Sequence, residues 1–274
     1  MQIFFKEYGK MITYDIFKNG CNSVFTMSYD DGKIEDRRLV ALMNRYGIKG
    51  TFNLNSGRLG EENFICADEV GELYKGHEVA VHTVTHPFPN RCAPDTVYKE
   101  IGGDRAALER LVGYPVRGMA YPFGAYSGQV IEIAKNCGIV YSRTTQYDGF
   151  NVPEDFMRLK STCHHNLFAE KINDFEKSVK NPWRKGMCFY VWGHSYELDS
   201  EEKWAELERC FKRITDIGSI WYATNIELCD YLTAQKNLRM TYDEDVIENP
   251  SNIDVWIRKD GKPVKIPKCS SVNL

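Results

Sequence analysis

The stretch Met27-Ser28-Tyr29-Asp30-Asp31-Gly32 decides how the rest of this chain is interpreted. It continues an apolar run that begins at Val24 and predicts a buried β-strand. Two carboxylates stand where the strand ends, and Gly32 allows the chain to turn sharply after them. Because neighbouring residues at a strand end point in different directions, one carboxylate can bind a metal while the other faces a substrate.

A pair of histidines follows another predicted strand. The sequence His82-Thr83-Val84-Thr85-His86 comes directly after the apolar run Val79-Ala80-Val81. Asp31, His82 and His86 together would form a site of two histidines and one carboxylate with an open coordination position. Such a site is typical of catalytic zinc, with cobalt, nickel and iron as alternatives.

Predicted strands and helices alternate along residues 24–234. This alternation predicts a parallel sheet of the α/β class, and the repeated unit favours a closed or nearly closed seven-stranded β/α barrel over a flat doubly wound sheet. Apolar runs predict the seven strands at residues 24–27, 50–54, 77–81, 115–121, 138–142, 186–192 and 219–222.

Three segments are predicted from the change in sequence character. Residues 1–20 are expected to be an irregular or short β lead-in, 21–235 the barrel, and 236–274 a small β extension that contains a hairpin turning at Asp260-Gly261. Residues 144–166 lack periodicity and are expected to form a long loop. Its two histidines, His164 and His165, are expected to be solvated or to support the site without binding the metal.

Composition excludes several classes of partner. A net charge of -3, from 35 basic and 38 acidic residues, gives no electrostatic case for nucleic acid or an anionic membrane surface. The first residues lack a basic segment followed by an apolar core, which predicts a cytoplasmic protein unless a signal has been removed. The nine cysteines form no CxxC pair, and free thiols in a reducing compartment are expected.

Chemically competent side chains collect at predicted strand ends. Asp30 follows the first strand, Tyr121 ends the fourth, Arg143 follows the fifth and His194 follows the sixth. In β/α barrels the active site lies at the carboxyl ends of the strands, where the loops converge. Arg117, near the start of the fourth strand, is the exception.

Each of these features has an ordinary structural interpretation when it is taken alone. Asp-Asp-Gly is usually a turn, His-x-x-x-His is commonly a coincidence, His194 could be a core histidine, and Arg117 could form a structural ion pair. All of these interpretations would have to hold together to exclude an active site. The shared position at strand ends therefore favours a functional site.

These residues resemble the motifs of the polysaccharide deacetylase family, the NodB-homology domain of carbohydrate esterase family 4. The first family motif, Thr-Phe-Asp-Asp-Gly, is similar to residues 28–32, and the second matches residues 82–86 in full. The fifth, a hydrophobic strand that ends in histidine, matches residues 191–194. The resemblance covers roughly residues 20–235 and implies a distorted seven-stranded β/α barrel.

Two motifs depart from the family pattern. Pro122-Phe123-Gly124 fits the end of the third motif, but Arg117 lies further upstream than the family arginine, so that either Arg117 or Arg143 would pair with Asp30. The fourth motif, an Asp and Trp element, has no clear counterpart. The residue that tunes His194 is therefore unassigned from the sequence.

The resemblance implies a metal-dependent hydrolase that removes N- or O-linked acetyl groups from a carbohydrate. It implies that Asp30 is the general base, that His194 is the general acid and that Arg117 orients Asp30. The expected substrate-binding residues are Tyr29, Tyr121, Phe123 and Arg143. Two alternatives are an amide or imide hydrolase for a small non-sugar substrate and a catalytically silent carbohydrate-binding protein on the same barrel. Whether the chain forms a homo-oligomer is left open.

Overall fold

The structure is a computed structural model that describes residues 11–274. Half of the predicted lead-in, together with the segment inspected for a signal peptide, lies outside the described residues. The helices are α1 (Asp36–Arg45), α2 (Val70–Leu73), α3 (Pro94–Val112), α4 (Gly128–Asn136), α5 (Phe168–Val179), α6 (Glu201–Asp216) and α7 (Asn225–Lys236). The strands are β1 (Ile12–Thr13), β2 (Ser23–Asp31), β3 (Thr51–Leu54), β4 (Glu78–Val81), β5 (Gly118–Ala120), β6 (Tyr141–Tyr147), β7 (Leu159–Ser161), β8 (Cys163–His164), β9 (Met187–His194), β10 (Ile220–Tyr222), β11 (Arg239–Met240), β12 (Val246–Asn249), β13 (Val255–Lys259), β14 (Lys262–Ile266) and β15 (Ser270–Asn273).

The parallel strands close into a barrel, and β2 is one of the strands in its wall. Hydrogen bonds join them in the order β7-β6-β5-β4-β3-β2-β9-β8, and each neighbouring pair runs parallel. Only Thr162 separates β7 from β8, and its N–H donates to the carbonyl of Tyr190 on β9 at 2.7 Å. The two ends of the order are therefore consecutive pieces of one strand. The predicted distorted β/α barrel is confirmed.

The strand that closes the barrel is not the one expected. Residues 219–222 contribute β10, which pairs with the first half of β2 beside β3, while residues 159–164 complete the ring. The long loop predicted over residues 144–166 is wrong in part, since it contains the end of β6 and all of β7 and β8. These pieces escaped detection because the outer end of β6 is exposed and polar, and β7 and β8 are too short to show periodicity.

The N-terminus of α7 fills the amino end of the barrel. The N–H of Asn225 donates to Thr51 Oγ1 and that of Ile226 to Glu78 Oε2, each at 2.9 Å. Thr51 and Glu78 begin neighbouring strands, so the Glu78 carboxylate satisfies a free N–H at the positive end of the helix. The Asn225 amide reaches further in and donates to the Tyr190 hydroxyl at 2.6 Å.

The chain after α7 forms two small antiparallel sheets. One has the order β1-β13-β14 and the other β11-β12-β15. The hairpin turn at Asp260-Gly261 is confirmed, and both residues have positive φ there. Because Ile12 pairs with Lys259, the described part of the lead-in joins the C-terminal extension.

Two observations concern the whole described chain. None of the helices in residues 11–274 is both long and apolar enough to cross a membrane. The nine cysteines, all of which lie in this range, form no disulfide, as expected.

We expect Gly118→Ala to destabilise the barrel, because a Cβ at this position on β5 would lie 2.2 Å from the Tyr141 hydroxyl oxygen. Overpacking of this kind costs about 1–3 kcal/mol. Gly128→Ala is the matched control, since a Cβ there meets nothing within 4 Å and alanine is the better helix former. Urea unfolding of both variants tests this, and equal midpoints would contradict it.

Candidate metal and catalytic site

β2 carries its two terminal carboxylates into different surroundings. Asp30 is 2% exposed and contacts Asn53 on β3 and Arg143 on β6, so it lies inside the barrel. Asp31 follows with a φ of 81°, a left-handed backbone that few residues other than glycine adopt. This turn separates the directions of two adjacent side chains.

Asp31, His82 and His86 converge at the carboxyl end of the barrel. The Oδ1 of Asp31 lies 3.7 Å from the Nε2 of each histidine, and the two Nε2 atoms are 3.1 Å apart. Ligand atoms about 2.0–2.1 Å from a tetrahedral centre are about 3.3 Å from one another. The three side chains therefore fit one divalent cation.

Hydrogen bonds fix the orientation of His82. Its Nδ1 donates to the carbonyl oxygen of Ala120 at 2.8 Å, which leaves the Nε2 lone pair facing Asp31. A carbonyl that sets the tautomer in this way is the usual support of a metal-binding histidine. The backbone N–H of His82 donates to buried Asp104 at 2.9 Å, and the same carboxylate accepts from Ser56 N–H at 2.7 Å. Burial raises the pKa of Asp104 to about 7.

Unusual backbone conformations concentrate around this group. Besides Asp31, positive φ values occur at Thr83 (68°), His86 (60°) and Phe123 (59°). The loop of the histidine pair is held by Thr83, whose hydroxyl oxygen accepts the N–H of His86 at 3.1 Å. Strained backbone of this kind persists where the surrounding structure enforces it and is common at functional sites.

Arg143 pairs with Asp30 inside the barrel. Its guanidinium, 1% exposed, donates to Asp30 Oδ2 and lies over the Trp192 ring, while Asn53 donates to Asp30 Oδ1 at 2.8 Å. Burial raises the pKa of Asp30, but Arg143, His82, His194 and the Asn53 hydrogen bond outweigh burial and lower it to about 2. Asp30 is therefore a carboxylate at neutral pH.

The prediction that Arg117 orients Asp30 is wrong, because Arg117 lies at the opposite end of the barrel from Asp30. Arg117 precedes β5 at the amino end of the barrel and forms two hydrogen bonds of 3.0 and 2.5 Å with Asp230 of α7. The alternative arginine, Arg143, lies beside Asp30 instead. It was also predicted to bind substrate, and its burial beneath Asp30 leaves no surface for that role.

His194 stands opposite Asp30 on the neighbouring strand β9, where the two residues are paired in register. Its Nδ1 lies 3.4 Å from Oε1 of Glu197, which follows in the next turn. Burial lowers the pKa of His194, but Glu197, Asp30 and Asp31 raise it more, so that it lies above its usual value. Glu197 is a partner that the sequence analysis did not assign.

The predicted substrate-binding aromatic residues separate into buried and accessible ones. Tyr29 is fully buried, and Tyr121 is 1% exposed with its hydroxyl donating to the Met157 carbonyl at 3.0 Å, so the prediction is wrong for both side chains. Phe123 is half exposed; its ring lies 4.5 Å from that of His86 and stacks on Phe88 at 3.8 Å. Phe88 and Phe123, the exposed aromatic pair, border the histidines.

Three residues that support the site were missed by the sequence analysis. Asn53, Asp104 and Glu197 hold Asp30, His82 and His194 respectively. Asn53 and Glu197 carried a local signal, a polar residue within a buried strand and a carboxylate three residues after a strand-end histidine. Asp104 lies in the middle of α3, and no local sequence pattern indicates that it accepts the N–H of His82.

Residues 18–142 match the family model described as polysaccharide deacetylase. The predicted resemblance to this family is confirmed. The matched stretch contains Asp30, Asp31, His82 and His86, and it ends one residue before Arg143. A chitooligosaccharide deacetylase from Bradyrhizobium sp. (strain ANU 289) is 27% identical over 124 residues, which are 44% of this chain and 55% of that protein. The alignment thus spans little more than half of this relative.

Solved structures share the fold over a longer range. A Mycobacterium smegmatis protein assigned to the polysaccharide deacetylases covers 80% of this chain and 92% of its own, with a TM-score of 0.60 and 15% identity. A family 4 carbohydrate esterase pseudoenzyme from Bacillus anthracis covers 78% and 68%, with a TM-score of 0.53 and 16% identity. At such identities the likeness shows the barrel and not the activity.

The two arginines should differ in their contribution to stability. Arg143→Gln removes the partner of a fully buried carboxylate and should cost about 3–5 kcal/mol. Arg117→Gln breaks a pair in which both side chains are about one third exposed and should cost at most about 1 kcal/mol. Urea unfolding measures both free energies, and similar losses would contradict the buried Asp30–Arg143 pair.

Proposed function

We propose that this protein is a metal-dependent hydrolase that removes acetyl groups from a carbohydrate. The observation that carries the proposal is the convergence, at one end of the barrel, of a metal-binding triad, a buried carboxylate and a histidine. Asp30 Oδ2 lies 3.8 Å from Nε2 of His82, so the charged base and the triad border the same space. The family match and the name of the chitooligosaccharide deacetylase support an acetylated saccharide as substrate.

Asp31, His82 and His86 would hold the cation, for which zinc is our first candidate and cobalt, nickel and iron are alternatives. When bound, a divalent cation lowers the pKa of a water toward about 7 and polarises a carbonyl group. The protein supplies the ligand set and the orientation of His82 through Ala120.

Asp30 would accept the proton of the attacking water. Arg143 and Asn53 occupy its two oxygens, which keeps the carboxylate ionised and fixes its orientation. A base held in this way needs no rearrangement before proton transfer. The buried arginine thus acts through Asp30 and does not contact the substrate.

The developing oxyanion requires a hydrogen-bond donor, and the leaving group requires an acid that protonates it. The N–H of Tyr121 already donates to the Arg143 carbonyl at 3.0 Å, and Pro122 has none. We therefore assign the oxyanion contact to the backbone N–H of Phe123. His194 would protonate the leaving amine or alkoxide, since its raised pKa keeps more of it in the acidic form.

The exposed aromatic pair offers a surface for a sugar ring. Phe88 and Phe123 stack with an angle of 10° between their planes beside His86, at the rim of the triad. Flat aromatic faces bury a large apolar area at little entropic cost and suit the apolar face of a saccharide.

The cytoplasmic location and the assignment of residues 21–235 as the barrel domain stay predictions.

We expect Asp30→Asn to lower the turnover of an acetylated saccharide by about 10²–10⁴-fold while bound metal is retained, because a general base contributes about that much. His86→Ala should instead lose metal and turnover together. Acetate release from a panel of acetylated saccharides, with metal content measured on the same samples, tests both. Unchanged turnover in Asp30→Asn would exclude Asp30 as the base.

The same panel separates the alternative functions. Hydrolysis of small amides without acetate release from saccharides would favour the amide or imide hydrolase. Saccharide binding without any hydrolysis by the metal-loaded protein would favour the silent carbohydrate-binding protein.

We expect Phe88→Ala to raise the KM for an acetylated saccharide about 3–10-fold and to leave kcat within about twofold, since one aromatic contact contributes about 0.5–1.5 kcal/mol. Tyr242→Ala, which removes a fully exposed aromatic ring in the C-terminal extension, is the control. Steady-state kinetics measure both parameters. A KM equal to that of the control would show that Phe88 does not contact the sugar.

A further inference from the structure

Three histidines surround one carboxylate beside the proposed active site. Oε2 of Glu197 lies 3.1 Å from Nε2 of His164 and 3.0 Å from Nε2 of His165, and Oε1 lies 3.4 Å from Nδ1 of His194. His164 and His165 come from the end of β8, whereas His194 and Glu197 come from the end of β9. We call these four residues the Glu197 cluster.

The three imidazoles are the side-chain partners of the Glu197 carboxylate. Its side chain is about one quarter exposed, and within residues 11–274 its ion-pair partners are the three histidines. The backbone N–H of His194 adds a further contact to Oε2 at 3.3 Å. The carboxylate is therefore tied both to the ring and to the main chain of His194.

This contact determines which nitrogen of His194 can reach a substrate. The two ring nitrogens lie on opposite sides of the imidazole, so Nδ1 facing Glu197 directs Nε2 away from it. The separation of 3.4 Å is long for a hydrogen bond, but the buried Nδ1 has no other hydrogen-bond partner within residues 11–274. A carboxylate behind the ring also stabilises the imidazolium form, as in other histidine–carboxylate pairs.

Gly193 allows His165 to take its place in the cluster. A Cβ at position 193 would lie 2.5 Å from Nδ1 of His165, so any side chain there would displace the ring. The His165 side chain is 2% exposed, and its Nδ1 is 3.4 Å from the hydroxyl of Tyr29. The ring is thus packed against both the β9 backbone and a core tyrosine.

The same side chains satisfy the distance requirement for a metal site, since the ligand atoms of His164, His165 and Glu197 lie within 4.8 Å of one another. However, Nδ1 of His164 accepts the N–H of Asn166 at 3.4 Å. A neutral imidazole that accepts at Nδ1 carries its proton on Nε2, the atom that faces Glu197. A protonated nitrogen donates a hydrogen bond and does not bind a metal.

We propose that Glu197 is the positioning residue of His194 and that His164 and His165 hold Glu197 in place. His194 would then act as the acid with its Nε2 aimed at the leaving group. This inference rests on the proposed function, in which His194 is the acid, and names Glu197 as the residue that orients it.

The test compares substrates that differ in their need for an acid. Acetylated amines and alcohols need a proton on the leaving group, whereas the leaving group of 4-nitrophenyl acetate does not. Glu197→Gln should lower kcat on an acetylated saccharide about 10²-fold or more with little change in KM, and should lower turnover of 4-nitrophenyl acetate by less than about threefold. Glu201→Gln, in the exposed first turn of α6, is the control and should change neither.

One further measurement on the metal-loaded protein separates the outcomes. In ¹⁵N NMR, His194 should carry a proton on Nδ1 in the parent protein and lose it in Glu197→Gln, a result that does not depend on turnover. If the parent protein releases no acetate from any substrate, the proposed function fails while this signature still decides the positioning.

Three results would overturn the proposal. Equal losses on both substrates would indicate a structural role, and an unchanged His194 tautomer would exclude the contact. Loss of one equivalent of metal in His165→Gln would show that the cluster binds a cation instead.

Discussion

The buried ion pair between Asp30 and Arg143 is the interaction on which the rest of the site depends. Both side chains are almost completely removed from water, and neither charge would be stable there alone. They come from β2 and β6, which are not neighbours in the sheet, so the pair can form only when the strands close into a barrel. Asp30 therefore stays ionised in its buried position only when the barrel is folded. The proposed role of Asp30 as a base requires this ionised form.

Two adjacent aspartates with the same chemistry acquire different properties because the backbone becomes left-handed at Asp31, the last residue of β2. Asp30 points inward to Arg143 and Asn53. Asp31 adopts a left-handed backbone and meets the histidine pair at the rim. His194 enters from β9, whose register places it against Asp30. One pair of parallel strands thus brings together the residues that we propose as base, metal ligand and acid.

The stretch that matches the family model ends within the candidate site, at residue 142. This stretch holds Asp30 and the candidate metal ligands Asp31, His82 and His86, whereas Arg143, His194 and Glu197 come after it. A pseudoenzyme among the structural relatives shows that this barrel can persist without catalysis. Function must therefore be argued from the second half of the site, where we propose that the Glu197 cluster positions His194.

The sequence by itself determined the class of fold and the first strand, and it predicted the candidate site residues Asp30, Asp31, His82, His86 and His194, because alternating apolar runs and strand-end polar residues are local patterns. It did not determine that Arg143 rather than Arg117 meets Asp30, that residues 159–164 close the barrel, or that Tyr29 and Tyr121 are buried. Those outcomes depend on which strands become neighbours and which face each side chain takes. Contacts between residues more than a hundred positions apart are decided only when the chain packs, and for that reason only the tertiary structure could choose between the two candidate arginines.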